Sequence, residues 1–409
     1  MWPDNEPSLL DRESLDALNE RFRESDRAAG IELTPAFRPF TQRNDIFTRA
    51  FWDDTVRSAK TDAFFASYRS QFDARKGDGF SQRDFALRNA SWSVSSAFSE
   101  RCAEDGRREG FQAPLDVDVA VSDTRVELAD PQAESVEIKR IATLFGADLV
   151  GIAEVDLRWH YASRVDTRDM SPADNALPEG VTHVIVMGHA MDADLVETYP
   201  SALAGASTGL EYSREAAIVT QLVSYLRGLG FEAVGSMNDT ALVIPYALKA
   251  GLGEYGRNQM VLTPEFGPRV RFSKVFTNLP LQADTPRSLG IKAYCDTCDV
   301  CARACPPKAL PDGPPTDVPV NVSTLRGVKK WSANAEKCFG YWASLKTDCA
   351  ICMRVCPFNR GQTLADRLWF ALATGRFRRL ARWWADRRGV AKRLKPVDWW
   401  ARLRAGRRG

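Results

Sequence analysis

The sequence predicts an α/β domain that is followed by a bacterial-ferredoxin-like domain rich in cysteine. Two observations favour this fold class: helical and strand patterns alternate between residues 135 and 280, and eight of the nine cysteines lie between residues 295 and 356. Alternation of this kind is typical of helices that pack on a sheet. A chain of 409 residues is long enough for two or three domains with sizeable cores.

Residue patterns locate the elements of the α/β domain. They predict strands at 147–156, 183–187, 231–234 and 270–277, and helices at 135–145, 208–227 and 241–249. The segment 183–187 is apolar throughout, as in a central strand. Thr208 and Glu211 form a capping box that predicts the start of the long helix, and Gly228 and Gly230 predict its end. The region before residue 135 is predicted to be mostly helical, with helices at 45–60 and 62–72.

The cysteine spacing is specific to one kind of metal centre. Residues 295–306 spell C-x2-C-x2-C-x3-C-P, and a second set at 338–357 repeats the end of that pattern after a long gap. In bacterial ferredoxins the first three thiolates of such a run bind one cubane and the fourth binds the other. We therefore predict one 4Fe-4S cluster on Cys295, Cys298, Cys301 and Cys356, and a second on Cys305, Cys338, Cys349 and Cys352.

Two other uses of cysteine fit less well. Zinc ribbons also contain C-x2-C, but they rarely carry two C-x2-C-x3-C-P endings that could exchange their fourth ligands. A disulfide framework is typical of short secreted chains, and no secretory signal precedes these cysteines. Cys102 remains, and we interpret it as a small buried apolar residue.

The bulk composition is that of an ordinary soluble globular protein, with 44% hydrophobic and 26% charged residues. No segment has the length of an apolar membrane span, and the polar N-terminus has neither a signal-peptide pattern nor a twin arginine. These features predict a cytoplasmic protein without a transmembrane segment.

Charge is distributed unevenly along the chain. Residues 361–409 carry 14 Lys or Arg against three Asp, a local charge of +11, so the remainder carries −9 of the total of +2. This tail also contains five tryptophans. Nucleic acid, an anionic membrane surface or an acidic redox partner would each suit it. A C-terminal helix with tryptophans on the core and arginines in water explains the tail equally well.

The α/β region lacks the common nucleotide motifs. It has no G-x-G-x-x-G after a strand and no P-loop, and the G-x-G of residues 251–253 is as easily a helix C-cap. The three histidines, His160, His183 and His189, lie in or beside predicted strands, where histidine is usually a core residue. The residues alone therefore predict an iron–sulfur redox protein and leave the final electron acceptor open.

Several motifs together resemble those of the cobalamin-dependent reductive dehalogenases. They are MNDT at 237–240, AGLG at 250–253 and TPEFGPRVRFSKVFTNLPL at 263–281, followed by the paired cluster motif. The resemblance covers about residues 135–360. It implies a nitroreductase-like α/β domain that buries a corrinoid beside two 4Fe-4S clusters. It also implies the removal of halide from an organohalide, with a halogenated phenol or similar aromatic expected here.

The same resemblance sets the expected domain boundaries. Residues 1–134 would be an N-terminal helical region, 135–280 the cobalamin-binding catalytic domain, 281–360 the ferredoxin-like domain and 361–409 the basic tail. The related tRNA epoxyqueuosine reductases share corrinoid, clusters and fold. The chain lacks the acidic residue and the G-K-N-type segment expected of them. A missing twin-arginine leader makes the chain similar to the non-respiratory, catabolic members.

The resemblance assigns roles to four residues of the catalytic site. Tyr212 in GLEYS matches the family's catalytic tyrosine, which would donate the proton that replaces the halide, and Asn238 matches a substrate-pocket asparagine. Either Arg271 or Lys274 would be the cation beside that tyrosine. Periodicity alone makes Tyr212 part of an apolar helical stripe, and two charges on a strand are by default solvated edge residues.

The resemblance also implies the cofactors and partners. Because no histidine is available as a lower ligand, the cobalamin would be base-off; the turn with Gly251, Gly253 and Arg257 would contact it, since glycine allows close approach. Electrons would come from a separate low-potential donor of the ferredoxin or flavodoxin type. An epoxyqueuosine-type reductase that binds tRNA and a non-catalytic iron–sulfur carrier remain as alternatives. Nucleic acid is expected only for the first of these, and a homo-oligomer is left open.

Overall fold

A four-stranded antiparallel sheet forms the centre of the computed structural model, which describes residues 10–68, 74, 77–104, 117–165, 169–173, 175–361, 363–387 and 392–406. The strand order is β1-β4-β8-β5, and β2-β3 and β6-β7 form two short separate pairs. The strands are β1 (Leu149–Glu154), β2 (Arg164–Val165), β3 (Pro172–Ala173), β4 (His183–Ala190), β5 (Ala233–Ser236), β6 (Glu254–Tyr255), β7 (Val261–Leu262) and β8 (Val270–Thr277).

Helices surround this sheet and make up both ends of the described chain. They are α1 (Arg12–Arg21), α2 (Arg23–Ala28), α3 (Ile46–Trp52), α4 (Ala59–Ala66), α5 (Gln82–Ser91), α6 (Ser93–Glu104), α7 (Pro131–Phe145), α8 (Ala193–Val196), α9 (Ala202–Gly228), α10 (Val243–Lys249), α11 (Ile291–Cys295), α12 (Val300–Ala304), α13 (Ala335–Leu345), α14 (Ile351–Arg354), α15 (Leu364–Thr374), α16 (Arg378–Arg387) and α17 (Pro396–Arg404). Single 3-10 turns lie at Gln42–Asn44 and Leu157–Trp159.

Both faces of the sheet are covered, which explains why residues 184–187 of β4 are all apolar. Side chains alternate between the faces along a strand. Ile185 and Met187 therefore pack with α7 and α9 on one face, whereas Val184 and Val186 pack with α10 and the N-terminal region on the other. The prediction of a central strand here is confirmed, since β4 pairs with both β1 and β8.

A buried ion cluster joins the N-terminal helices to the α/β domain. It contains two carboxylates and two cations. Arg158 Nη2 lies 2.7 Å from Asp156 and 2.9 Å from Asp26, and Lys249 Nζ lies 2.6 and 2.9 Å from the same two carboxylates. All four side chains are buried. Because the charges balance, this cluster compensates the desolvation of each member.

The long helix begins earlier than its sequence indicates, so the predicted capping box is wrong. The N-cap is Ser201, and α9 already includes the small residues of 202–207. Thr208 lies inside the helix, where its hydroxyl donates to Asp348 at 2.6 Å. Glu211 is also internal. The hydroxyl of Thr208, which the sequence pattern predicted to cap the helix, thus binds the carboxylate of Asp348, which is distant in the chain. The predicted end is confirmed at Gly228, with Gly230 at φ +88°.

Small residues in α9 allow close packing against α5. A Cβ on Gly209 would collide with Ser91 and Trp92, and one on Gly205 would lie 3.0 Å from Arg88 of α5. The two helices therefore approach closely along these glycines. This contact positions the middle of α9, which carries the candidate catalytic tyrosine.

Most other elements lie near their predicted positions. Strand β8 has the predicted bounds, and α7, α10 and β1 differ by a few residues at their ends. Strand β5 is shifted by two residues towards the C-terminus. The predicted helices at 45–60 and 62–72 are shorter, at α3 and α4, and residues 69–72 lie outside the described residues.

The basic tail packs partly as a structural element. Trp369 is buried against Tyr294 and Phe358, in the core that also contains three of the predicted cluster cysteines. Trp399 and Trp400 pack beside Leu195 and its neighbours. The side chain of Cys102 is not among the described residues. No helix in the described part of the chain is both long and apolar enough to cross a membrane.

Candidate active site and cluster sites

Tyr212 lies on α9 between an aromatic ring, an amide and a cation. Its ring stacks on Trp92 with centroids 4.6 Å apart. Asn238 donates its amide N–H to the tyrosine hydroxyl at 2.5 Å. The guanidinium carbon of Arg271 lies 3.7 Å from the ring centroid. The structure therefore brings three of the four predicted catalytic residues together.

Arg271 is the cation beside this tyrosine because of its register on β8. Residues 271 and 274 differ by an odd number, so their side chains leave opposite faces of the strand. The face of β8 that carries its odd-numbered residues contacts α9. On this face Arg271 contacts both Tyr212 and Glu215, and its Nε lies 3.5 Å from the Glu215 carboxylate. The default interpretation of Arg271 as a solvated edge charge is wrong, because β8 is an internal strand.

Lys274 is fully buried and has a different partner. Its Nζ donates to the carbonyl of Met237 at 2.7 Å. Burial lowers the pKa of Lys274 to about 8, against the opposing charges of Asp239 and Glu215. The Lys274 ammonium therefore supports the turn that carries Asn238, and the default of a solvated edge charge is wrong for this residue too.

The turn that carries Asn238 is held by its own polar groups. Asp239 accepts the backbone N–H of Met237 at 2.9 Å and the hydroxyl of Thr240 at 2.6 Å. The backbone carbonyl of Asn238 accepts the hydroxyl of Tyr161 at 3.0 Å. The Asn238 side chain is exposed apart from its bond to Tyr212, so its orientation is set by the backbone beneath it.

The electrostatics of the site favour a protonated tyrosine that can still release its proton. Burial raises the pKa of Tyr212, and the charge of Arg271 and the Asn238 hydrogen bond oppose that rise. Burial also raises the pKa of Glu215 to about 7, although Arg271 lowers it. Within the described residues, Glu215 Oε2 has no hydrogen-bond partner.

Sequence reasoning missed Glu215 and Trp92. Glu215 follows Tyr212 by three residues, so both lie on the same side of α9. A charged residue inside an apolar helical stripe was the available signal. Nothing in the sequence around Trp92 indicates its stacking on Tyr212, since Trp92 follows α5 and is far from α9 in the chain.

The predicted corrinoid contacts have structural roles of their own. Gly251 follows α10 at φ +69°, as a C-cap glycine does, and an added Cβ there would collide with Thr285. A Cβ on Gly253 would collide with the backbone of Leu262. Arg257 is buried and donates to the carbonyls of the cluster loop, including Cys298 at 2.8 Å. Contact of these residues with a corrinoid stays a prediction.

The first cysteine quartet surrounds one small cavity. Cys295, Cys298, Cys301 and Cys356 line it together with Arg257. All four thiols are buried. Burial, together with the charge of the neighbouring Cys298, raises the pKa of Cys301 to about 12. The fourth cysteine of the first run, Cys305, is absent from this cavity lining, as the interleaved pattern predicts.

The second quartet forms around Cys305. Burial raises the pKa of Cys338, and the charge of Cys305 is the second cause of the rise, which brings this pKa to about 11. It acts in the same direction on Cys349 and Cys352. Cys305 also accepts the backbone N–H of Ala309 at 3.3 Å. Cys305 therefore lies near Cys338, Cys349 and Cys352, and their binding of one cluster stays a prediction.

Both quartets have the donor chemistry of cubane sites. Four thiolates, with backbone amides directed at sulfur, are what an iron–sulfur cluster requires. Among the described residues no group of three or more His, Cys, Asp or Glu is arranged to hold a metal ion. In a cubane each thiolate binds its own iron atom, so the four sulfurs surround the cluster rather than a single metal.

Two of the histidines are core residues, as predicted. His160 and His189 are buried, and their Nε2 atoms lie 2.9 Å from the Tyr246 hydroxyl and 2.8 Å from the Ser273 hydroxyl. Burial lowers their pKa values to about 4 and about 3. His183 is half-buried beside Thr182.

Comparison with known proteins agrees with this geometry. Residues 163–281 match the family model of the reductive dehalogenase subunit, and residues 294–359 match that of the 4Fe-4S double cluster binding domain. Tetrachloroethene reductive dehalogenase of Sulfurospirillum multivorans is 34% identical over 274 residues, covering 61% of this chain and 54% of the relative. The corresponding enzyme of Dehalobacter restrictus is 33% identical over 267 residues, covering 55% of this chain and 48% of the relative.

Two further likenesses are weaker or concern the fold alone. The solved structure of the catabolic reductive dehalogenase NpRdhA superposes with a TM-score of 0.66 at 22% identity, covering 90% of this chain and 50% of that one. Epoxyqueuosine reductase of Listeria monocytogenes is 30% identical over 166 residues, covering 39% of this chain and 41% of the relative. The chain spans about half the length of the reductive dehalogenases that it matches.

The α/β domain and its two cysteine quartets define an iron–sulfur redox protein of the type that carries a double 4Fe-4S cluster domain. Within that class, the matches to the reductive dehalogenase family model and to two tetrachloroethene reductive dehalogenases confirm that the motifs of this chain resemble those of the reductive dehalogenases.

Proposed function

We propose that this protein is a reductive dehalogenase that replaces the halogen of an organohalide by hydrogen. The reaction consumes two electrons and one proton and releases halide. The observation that carries the proposal is the contact of Tyr212 with both Asn238 and Arg271 in a protein with two thiolate quartets. Such a site can deliver both a proton and electrons.

Tyr212 is the proposed proton donor. As its O–H bond breaks, negative charge develops on the phenol oxygen and spreads over the ring. The guanidinium of Arg271 over that ring stabilises the charge, and the Asn238 amide donates to the oxygen that carries it. Trp92 covers the other side of the ring and excludes water from it.

Cobalamin is the proposed terminal cofactor. When bound and reduced, it supplies the low-potential cobalt that cleaves carbon–halogen bonds. The buried His160 and His189 both direct Nε2 at hydroxyls of the protein interior, which supports a base-off corrinoid without a protein histidine ligand. The turn from Gly251 to Arg257 would hold it, beside the first quartet that Arg257 contacts.

The proposed electron route runs through the two quartets. Plant-type ferredoxin centres have potentials near −400 mV, the range that reduction of a corrinoid needs. The electrons would come from a separate donor of the ferredoxin or flavodoxin type. We expect the substrate to be a halogenated phenol or similar aromatic, because the partly exposed Arg271 could bind a phenol oxygen. Action in the cytoplasm and the oligomeric state stay predictions.

Replacement of Tyr212 by Phe tests the proposal. The substitution removes the hydroxyl and keeps the ring that stacks on Trp92. We expect Tyr212→Phe protein, reconstituted anaerobically, to keep its iron and corrinoid content and to lose halide release from a panel of bromophenols and tetrachloroethene. Unchanged turnover would contradict the role of Tyr212, and cobalt-free protein that refuses added corrinoid would contradict the function.

Two other functions have distinct signatures. The identity to an epoxyqueuosine reductase and the basic tail favour tRNA as the alternative substrate. A shift of labelled tRNA at physiological salt, with queuosine restored in a deficient strain, would support it. A non-catalytic carrier would contain iron and sulfide but would not take up hydroxocobalamin.

A further inference from the structure

Helix α16 carries an exposed basic and aromatic surface. Phe377, just before it, and Leu380 and Trp383 within it are 50%, 48% and 52% exposed. Arg379 and Arg387 are exposed beside them, and the Arg387 guanidinium carbon lies 4.3 Å from the Trp383 ring centroid. We call these five residues the α16 patch. Trp and Arg are the residues most enriched in the energetically important centres of protein interfaces.

The opposite side of the same helix packs on α15 and reaches the loop of the first cysteine quartet. Ala381 and Ala385 are buried in the core that contains Cys295, Cys298 and Cys356. Arg382 donates to Asp299 at 3.2 Å, directly after Cys298 in the chain. Arg382 of α16 therefore links the helix that carries the α16 patch to the loop of the proposed cluster.

Charge indicates what kind of partner fits this surface. The tail carries +11 and the rest of the chain −9, so an acidic protein is attracted to the tail and repelled elsewhere. Complexes of electron-transfer proteins bury less than about 1,200 Å². A few exposed apolar side chains ringed by arginines suit such a short-lived contact.

We propose that the α16 patch is the docking site of an acidic one-electron donor protein of the ferredoxin class. The inference rests on the proposed function and adds the place where electrons enter. Each docking event oxidises the donor by one electron and reduces the first cluster by one. Two such events supply the two electrons that one carbon–halogen cleavage consumes.

Charge reversal on the patch tests the docking site in the full-length, cluster-loaded protein. The variant Arg379→Glu/Arg387→Glu alters the patch, and Arg402→Glu/Arg404→Glu on α17 changes the net charge equally at exposed positions of another tail helix. The probe is a reduced, acidic plant-type 2Fe-2S ferredoxin in stopped-flow spectroscopy. The signal is bleaching of the iron–sulfur absorbance, with reduction by titanium(III) citrate as the small-molecule reference.

We expect the patch variant to lower the second-order rate of reduction by ferredoxin about 10–100-fold at low salt. The α17 variant should lower it less than about threefold. At raised salt the unaltered protein and the two double variants should be reduced at the same rate, because salt screens the charges. Reduction by titanium(III) should be unchanged in both variants. Trp383→Ala should also slow reduction by ferredoxin, and this slowing should persist at high salt.

Other outcomes would overturn the inference. Equal slowing by both double variants would show that only the net charge matters, and no slowing would place the donor elsewhere. Binding to anionic phosphatidylserine vesicles that the patch variant loses, with ferredoxin rates unchanged, would make the surface a membrane contact. Because the readout is reduction of the clusters, the test is independent of corrinoid content and halide release, so failure of the proposed function would be seen separately.

Discussion

Arg271 offers the most direct test of how the site releases a proton. Its guanidinium carbon lies 3.7 Å from the Tyr212 ring centroid, and the side chain is mostly removed from water. A cation over an aromatic face is worth about 2 kcal/mol when it is desolvated. The neutral ring already has this attraction, so only its increase as the ring becomes a phenolate affects the barrier; because a full negative charge then faces the cation, we take that increase to be about 2 kcal/mol as well, and Arg271→Met loses it.

A loss of about 2 kcal/mol in the transition state lowers the turnover number about 30-fold. The fold should tolerate the change. Burial already raises the pKa of Glu215 to about 7 with Arg271 present. Without the cation that carboxyl is protonated at neutral pH, and no unpaired buried charge remains.

The assay is halide release at saturating substrate with a chemical reductant, after iron and corrinoid contents have been matched. Arg271→Lys is the control that keeps the charge and loses the planar group, so it should recover part of the activity. Activity of Arg271→Met within threefold of the unaltered protein, at full cofactor content, would refute the reasoning. Equal losses in the two variants would show that the charge is not what matters.

The buried ion cluster and the helix contact lead to the remaining predictions. Lys249→Met should lower the free energy of unfolding by about 3–5 kcal/mol, measured by urea denaturation, because Asp26 and Asp156 would then share Arg158 alone and one buried negative charge would be uncompensated. Burial alone would raise the pKa of Asp156, but Arg158 and Lys249 hold it below its ordinary value of 3.8. Ionisation of Asp156 therefore stabilises the fold above about pH 4, and acid titration should show this contribution lost as the pH falls through the folded-state pKa. Gly209→Ala should lower the melting temperature, since the new methyl group meets Ser91, whereas Gly228→Ala, where an added Cβ meets nothing, should leave it unchanged or raise it.

Much of the cluster domain could be predicted because its determinants are local. Cysteine spacing predicted a double 4Fe-4S domain, which the family match at 294–359 supports, and it placed Cys356 beside Cys295, Cys298 and Cys301, as in the structure. Strand β8 was equally predictable, since one continuous segment of the chain determines it. Both patterns involve residues that are close in the sequence, so they can be recognised without knowledge of the tertiary structure.

The catalytic site was less predictable because its decisive contacts are long-range. Thr208 looked like a helix cap, and only the fold shows that Asp348 accepts its hydroxyl. Strand periodicity could have told Arg271 from Lys274 only with knowledge of which face meets α9. Trp92 lies 120 positions before Tyr212 in the numbering, and no local pattern connects them.

The bonds made by Arg257 bear on how the protein matures. Its guanidinium donates to the carbonyls of Cys295 and Cys298 from a turn that is synthesised earlier than this loop. We expect the loop to acquire its shape only after the preceding half of the polypeptide has folded. Iron would then be inserted late in biogenesis, into a cysteine loop that is already folded. Substitutions that unfold the preceding half should therefore lower the iron content of the protein before they alter its catalytic rate per cluster.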